Sequence, residues 1–84
     1  MPTSPGFRKL ENPTEQEWRA LLGRKVSVRY RVHDDPAHPF SEAIGMVQEV
    51  APDPSGRVVI AIVNRRGVTY RFDMDDLIAG KAWS

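Results

Sequence analysis

Lys25-Val26-Ser27-Val28-Arg29-Tyr30-Arg31-Val32 alternates apolar and polar side chains without a break. A strict period of two places Val26, Val28, Tyr30 and Val32 on one face of a strand and Lys25, Ser27, Arg29 and Arg31 on the other. The segment is therefore a half-buried strand with a basic, wet outer face.

Working upstream, Gly23 closes a short helix predicted over 13–22. Asn12 can cap it with Pro13 at its first position, and Thr14 with Glu17 offers a second, capping-box register. Trp18, Leu21 and Leu22 share one face, and a helix this short needs a surface beneath that face. Residues 1–11 mix prolines, a glycine and both signs of charge and read as a flexible tail.

Downstream, His33 to Phe40 holds two prolines and two aspartates and reads as a loop. Ala43 to Val50 is the next strand. Ile44, Met46 and Val50 favour one face and Val47 the other, a conflict that a β-bulge near Gln48 reconciles. Ala51 to Gly56 is a turn. Arg57 to Val63 is a strand with an unbroken apolar run, the pattern of burial on both faces. Asn64-Arg65-Arg66-Gly67 is a tight hairpin returning through Val68 to Phe72. Asp73 caps a helical turn over Met74 to Ala79, Gly80 ends it, and Lys81-Ala82-Trp83 forms a last short strand. This order predicts a mainly β chain: a small SH3-like five-stranded barrel with a short N-terminal helix, spanning 12–84. An open antiparallel sheet packed on the helix is the alternative.

Composition narrows the function classes. The 84 residues make one small domain that buries only about 60% of its unfolded surface. Absence of cysteine removes disulfides, thiol nucleophiles and cysteine-based zinc sites. The start carries no basic-then-apolar leader pattern, and Val58 to Val63 is far too short to span a bilayer, so the expected setting is the cytoplasm, off the membrane. Net charge is +1, which favours no partner by itself. Basic and acidic residues nevertheless alternate in blocks along the chain.

The run Trp18 to Val32 resembles the SH3-like domain at the N-terminus of some actinobacterial GNAT-type acetyltransferases. The likeness continues through Ile44-Gly45, through Ile60 to Phe72, and through Asp76-Leu77-Ile78-Ala79, covering 18 to 83. It implies a barrel fold and an accessory role beside an acetyltransferase; the enzyme part, with its Gly-rich pyrophosphate loop, has no counterpart in these residues. The chain also departs from that pattern at Val59, Ala61 and Val63, where the family tends to be polar. With Ile60 and Ile62 facing inward, these three point outward and need a cover: the helix face of Trp18, Leu21 and Leu22, or a second copy of the chain.

Candidate sites follow from residue type. Arg29, Arg31, Arg57, Arg65, Arg66 and Arg71, with Tyr30 or Tyr70 nearby, could pair with phosphates and stack on bases, or dock another protein. Against a dedicated nucleic-acid surface stand 11 acidic residues against 12 basic ones. His33, Asp34, Asp35 and His38 are metal-ligand types whose spacing fits no known signature, and no metal is expected. The same histidines with Ser27, Ser41 or Ser55 offer no nucleophile elbow, so neither catalysis nor a cofactor is expected. The PxxP matches at Pro2 to Pro5 and Pro36 to Pro39 are of the kind loops produce by chance. Trp83 either seals the barrel or waits for a partner. The sequence thus points to a non-enzymatic interaction module binding a protein or itself, with a nucleic-acid-binding barrel as the alternative.

Overall fold

The computed structural model describes residues 6–83. In chain order they form β1 (Phe7–Leu10), α1 (Glu15–Ala20), β2 (Lys25–Arg31), β3 (Phe40–Pro52), β4 (Val58–Val63), β5 (Thr69–Asp73), a 3-10 turn at Met74–Asp76 and β6 (Leu77–Trp83). All six strands belong to one antiparallel sheet in the order β1-β6-β2-β3-β4-β5. The sheet curls around one core, a small barrel-type fold.

The alternation of β2 does what its pattern demands. Val26, Val28 and Tyr30 are buried, while Lys25, Arg29 and Arg31 are exposed. Their inner-face neighbours are Ala43, Val47 and Val50 of β3, Ile60 and Ile62 of β4, Phe72 of β5 and Ala82 of β6. Trp18 enters this cluster from α1, fully buried, with its ring edge-on to Phe72 at 5.9 Å. Tyr30 also stacks on Phe72, at 4.7 Å, so it is a core residue.

β3 is the long element, and it changes partner midway. Phe40 to Met46 pair with β2, and Met46 to Pro52 pair with β4. Gly45 marks the exchange. A Cβ there would collide with the carbonyl oxygen of Val63, because the end of β4 packs directly against it. A glycine inside a strand is the expected signature of such a close backbone approach. The register shifts between Val47 and Glu49, which places the bulge at Gln48. The expected core face, however, was the wrong one for the first half of the strand. Ala43, Gly45, Val47 and Val50 face inward, and Ile44 and Met46 lie outside. Only the residue without a side chain fits under Val63, and that fixes the parity.

Other expectations need correction. The tail expected over 1–11 contains β1: Leu10 is buried and Phe7 meets Trp83 at 6.3 Å between ring centres. Residues 1–5 lie outside the described residues. The strands therefore number six rather than five. The sheet order also has two ends, β1 and β5, so the hydrogen-bonded ladder does not close. Thr14, rather than Asn12, caps the helix: its Oγ1 accepts from the Glu17 N–H at 3.1 Å, and Glu17 Oε1 accepts from the Thr14 N–H at 3.0 Å. Asn12 instead takes a positive φ of 45° before Pro13. The late helical turn stops at Asp76, and Leu77 to Ala79 join β6.

The helix also covers a different face from the one expected. Trp18 and Leu21 belong to the cluster that holds Ile60, Ile62 and Phe72. Alternation along β4 puts Val59, Ala61 and Val63 on the opposite side. Ala61 is nevertheless only 2% exposed. It sits in register between Glu49 and Arg71, whose longer side chains flank it on that face. Leu22 is exposed, and its backbone forms a bridge to Val47 instead.

Two outcomes follow. Truncating Trp18→Ala should cost about 3–5 kcal/mol in urea unfolding. Trp18→Phe should cost clearly less, because the buried indole N–H has no acceptor and its removal relieves a penalty of about 1–3 kcal/mol. Equal losses in both variants would contradict this packing. Gly45→Ala should destabilise by about 2 kcal/mol or more, through backbone overpacking. Ile44→Ala, one residue away and exposed, should stay within about 0.5 kcal/mol of the parent.

Candidate docking surface

The exchange of partners at Met46 leaves a shallow groove beside β3. One wall is the first half of β3, with the exposed side chains of Ile44 and Met46. The other is the end of β4 and its hairpin, with Val63, Arg65 and Arg66, and Tyr70 of β5 lies between. Phe40, Ile44 and Met46 are 54%, 56% and 49% exposed, unusual for three large apolar side chains on one strand of a small domain. Across the ladder they face Arg31, Ser27 and Lys25.

The hairpin tip is held firmly. Asn64 Oδ1 accepts from the N–H groups of Arg66 at 2.9 Å and Val68 at 3.0 Å, and Gly67 takes a φ of +82° that a side chain would resist. This frame presents Arg65 and Arg66 to solvent, with no carboxylate partner among the described residues. Lys25 lies along the same groove, its Nζ 5.2 Å from the centre of the Trp83 ring. Beyond Trp83 the outer face continues to Phe7, over which Lys81 Nζ sits at 5.2 Å.

The arginine set is distributed over separate places. Arg29 is held by Glu42 at 2.7 and 3.2 Å, and Arg57 reaches Asp73 at 3.4 Å. Arg31 extends from the far end of β2 beside Phe40, and Arg71 flanks Ala61 on β5. Arg65 and Arg66 alone of the six border the groove. Tyr30 is buried away from all of them, whereas Tyr70 is half-buried at the groove.

The histidine–aspartate segment divides as well. His33 Nε2 lies 2.8 Å from Asp76 Oδ1, clasping the β2–β3 loop to the 3-10 turn. His38 Nδ1 lies 3.3 Å from Asp35 Oδ2 within the loop. Among the described residues no three histidine or acidic side chains converge on a point that could hold a metal ion. The Asp53 carboxyl is held below its ordinary range, chiefly by the hydrogen bond from the Ser55 hydroxyl at 2.6 Å. It also accepts from the Ser55 and Arg57 N–H groups, which makes it the organiser of the β3–β4 turn. No helix among the described residues is long and apolar enough to cross a membrane.

Phe40, Ile44, Met46 and Lys25 were not among the residues that sequence reasoning selected for a site. Reading Gly45 as a point of close backbone approach would have found the first three. It sets the inward parity and turns Ile44 and Met46 out. Nothing in the sequence brings Phe7 to Trp83; that pairing is a product of the β1–β6 register.

No curated protein and no solved structure matches the chain. A family model does, over residues 20–81, from α1 almost to the end of β6. The chain accordingly belongs to the family described as the Rv0428c N-terminal Sm-like domain.

Proposed function

We propose that the domain is a non-catalytic interaction module of the cytoplasm that docks a protein partner against the outer face of β2 and β3. The observation that carries this reading is the groove itself. Exposed Ile44 and Met46 line it together with Arg65 and Arg66, which have no carboxylate partner among the described residues, and exposed Phe40 lies farther along the same face of β3. Protein interfaces are enriched in aromatic residues, methionine and arginine, the mixture found here. Leaving such side chains in water costs a small domain apolar area it could otherwise bury, which argues that they serve binding. The resemblance to the N-terminal domain of acetyltransferases supplies one class of partner, an acetyltransferase chain.

A nucleic-acid reading draws on the same arginines and has less support. Arg29 and Arg57 are already engaged by carboxylates, and the aromatic stacked near the basic strand, Tyr30, is buried.

The test pairs capture with a nucleic-acid control. A partner cross-linked to the tagged domain in its native cytoplasm should be lost from Ile44→Asp and Met46→Asp, which alter exposed residues and leave folding intact, and kept by Arg71→Glu. Single-stranded RNA at low salt should give no mobility shift at protein concentrations of about 10–100 μM, where non-specific binders register. Capture that survives both aspartate variants, or an RNA shift that weakens steeply with salt, would overturn the reading.

A further inference from the structure

Among the described residues, no strand pairs with the edge of β3 beside the groove. The Val32 N–H donates to the Pro39 carbonyl at 2.7 Å, which sets the phase of the β2–β3 ladder. In an antiparallel pair, alternate residues turn their backbone groups toward the partner strand. Residues 39, 41, 43 and 45 therefore face β2. Phe40, Glu42 and Ile44 turn their N–H and C=O groups the other way, toward the β4–β5 hairpin. β4 pairs with β3 only from Met46 onward, so no strand meets these groups among the described residues.

From this we infer that the first half of β3 is a strand-addition site for an extended acidic peptide, with an apolar side chain of that peptide lying against Ile44, Met46 and Tyr70. The inference rests on the docking reading above and narrows it to one chemistry. The backbone determines the extended form. Phe40, Glu42 and Ile44 offer donors and acceptors together, repeating about every 6.8 Å along the strand. A second polypeptide strand matches both, whereas a sugar–phosphate chain supplies mainly acceptors. The rim determines the charge. Among the described residues, Arg65, Arg66 and Lys25 border the groove without carboxylate partners, and the acid that lines it, Glu42, is occupied by Arg29. The chain's own free edges are poor occupants. β1 reads Phe-Arg-Lys-Leu and would bring like charge to Arg65 and Arg66, and β5 carries Arg71 at its centre.

The probe is a capped heptapeptide of alternating glutamate and valine, added to the isotope-labelled full chain. Amide hydrogen exchange is read at Phe40, Glu42 and Ile44. These amides should slow at least tenfold as the peptide saturates, while Thr69 and Arg71 on the β5 edge stay unchanged. The double variant R65E/R66E should weaken the peptide about tenfold and prefer its lysine counterpart. Three results would overturn the inference: no protection up to about 1 mM peptide, protection that grows with protein concentration alone, or protection produced by oligouridylate in place of the peptide. Unprotected amides together with loss of partner capture in Ile44→Asp would reject strand addition and leave the docking reading standing. Protected amides with capture intact would uphold the peptide site and reject that reading.

Discussion

The end of β4 packs against Gly45 of β3 while Val63 is still paired with Met46 and Thr69, and much of the molecule is a consequence of that close approach. The Val63 carbonyl occupies the space a Cβ at position 45 would need. Position 45 must therefore be glycine and must face inward. That sets the parity of the whole first half of β3, burying Ala43 and turning Ile44 and Met46 to solvent. The bulge at Gln48 then keeps Val47 and Val50 both inside despite their odd spacing. Because β4 pairs with β3 only from Met46 onward, the first half of β3 has no second strand neighbour among the described residues, and the groove and the open edge both follow from that.

The core allows this opening because it is consolidated elsewhere. Phe72 packs against both Tyr30 and Trp18, and Trp18 comes from a helix anchored at both ends. At the start is the Thr14–Glu17 capping box. At the exit, the Gly23 N–H donates to the Val47 carbonyl at 2.8 Å and the Val47 N–H to the Arg24 carbonyl at 3.0 Å. The helix plugs the concave side of the curled sheet, which leaves the outer face open. That face holds the groove and extends to the Phe7–Trp83 pair with its two lysines.

Much of this was legible in the residues. β2 could be read directly from its alternation, the hairpin at Asn64 from its turn chemistry, and the Gln48 bulge from a parity conflict. The parity itself was misjudged because apolar side chains at Ile44 and Met46 suggest burial. Only the close approach of the Val63 backbone shows that glycine is the residue that fits inside. β1 was missed because four residues carrying two cations have no strand signature of their own. They are a strand because β6 offers a ladder and Gly80 leaves room for Leu10, whose Cδ1 lies 3.2 Å from where a Cβ at Gly80 would be. The arginine set looked like one surface in sequence, but the strand order separates it. The groove needed side chains from β2, β3, β4 and β5 at once, a juxtaposition that no local pattern encodes.

The central claim is that β3 serves β2 along its first half, serves β4 along its second, and leaves one side of the first half without a strand partner among the described residues. Residue-resolved amide exchange of the free protein tests it most directly. The account predicts slow exchange at Ser41, Ala43 and Gly45, fast exchange at Phe40, Glu42 and Ile44, and slow exchange again at Met46 and Val47. Uniform protection from residue 40 to 46 would mean that this edge is already covered, and would contradict the account.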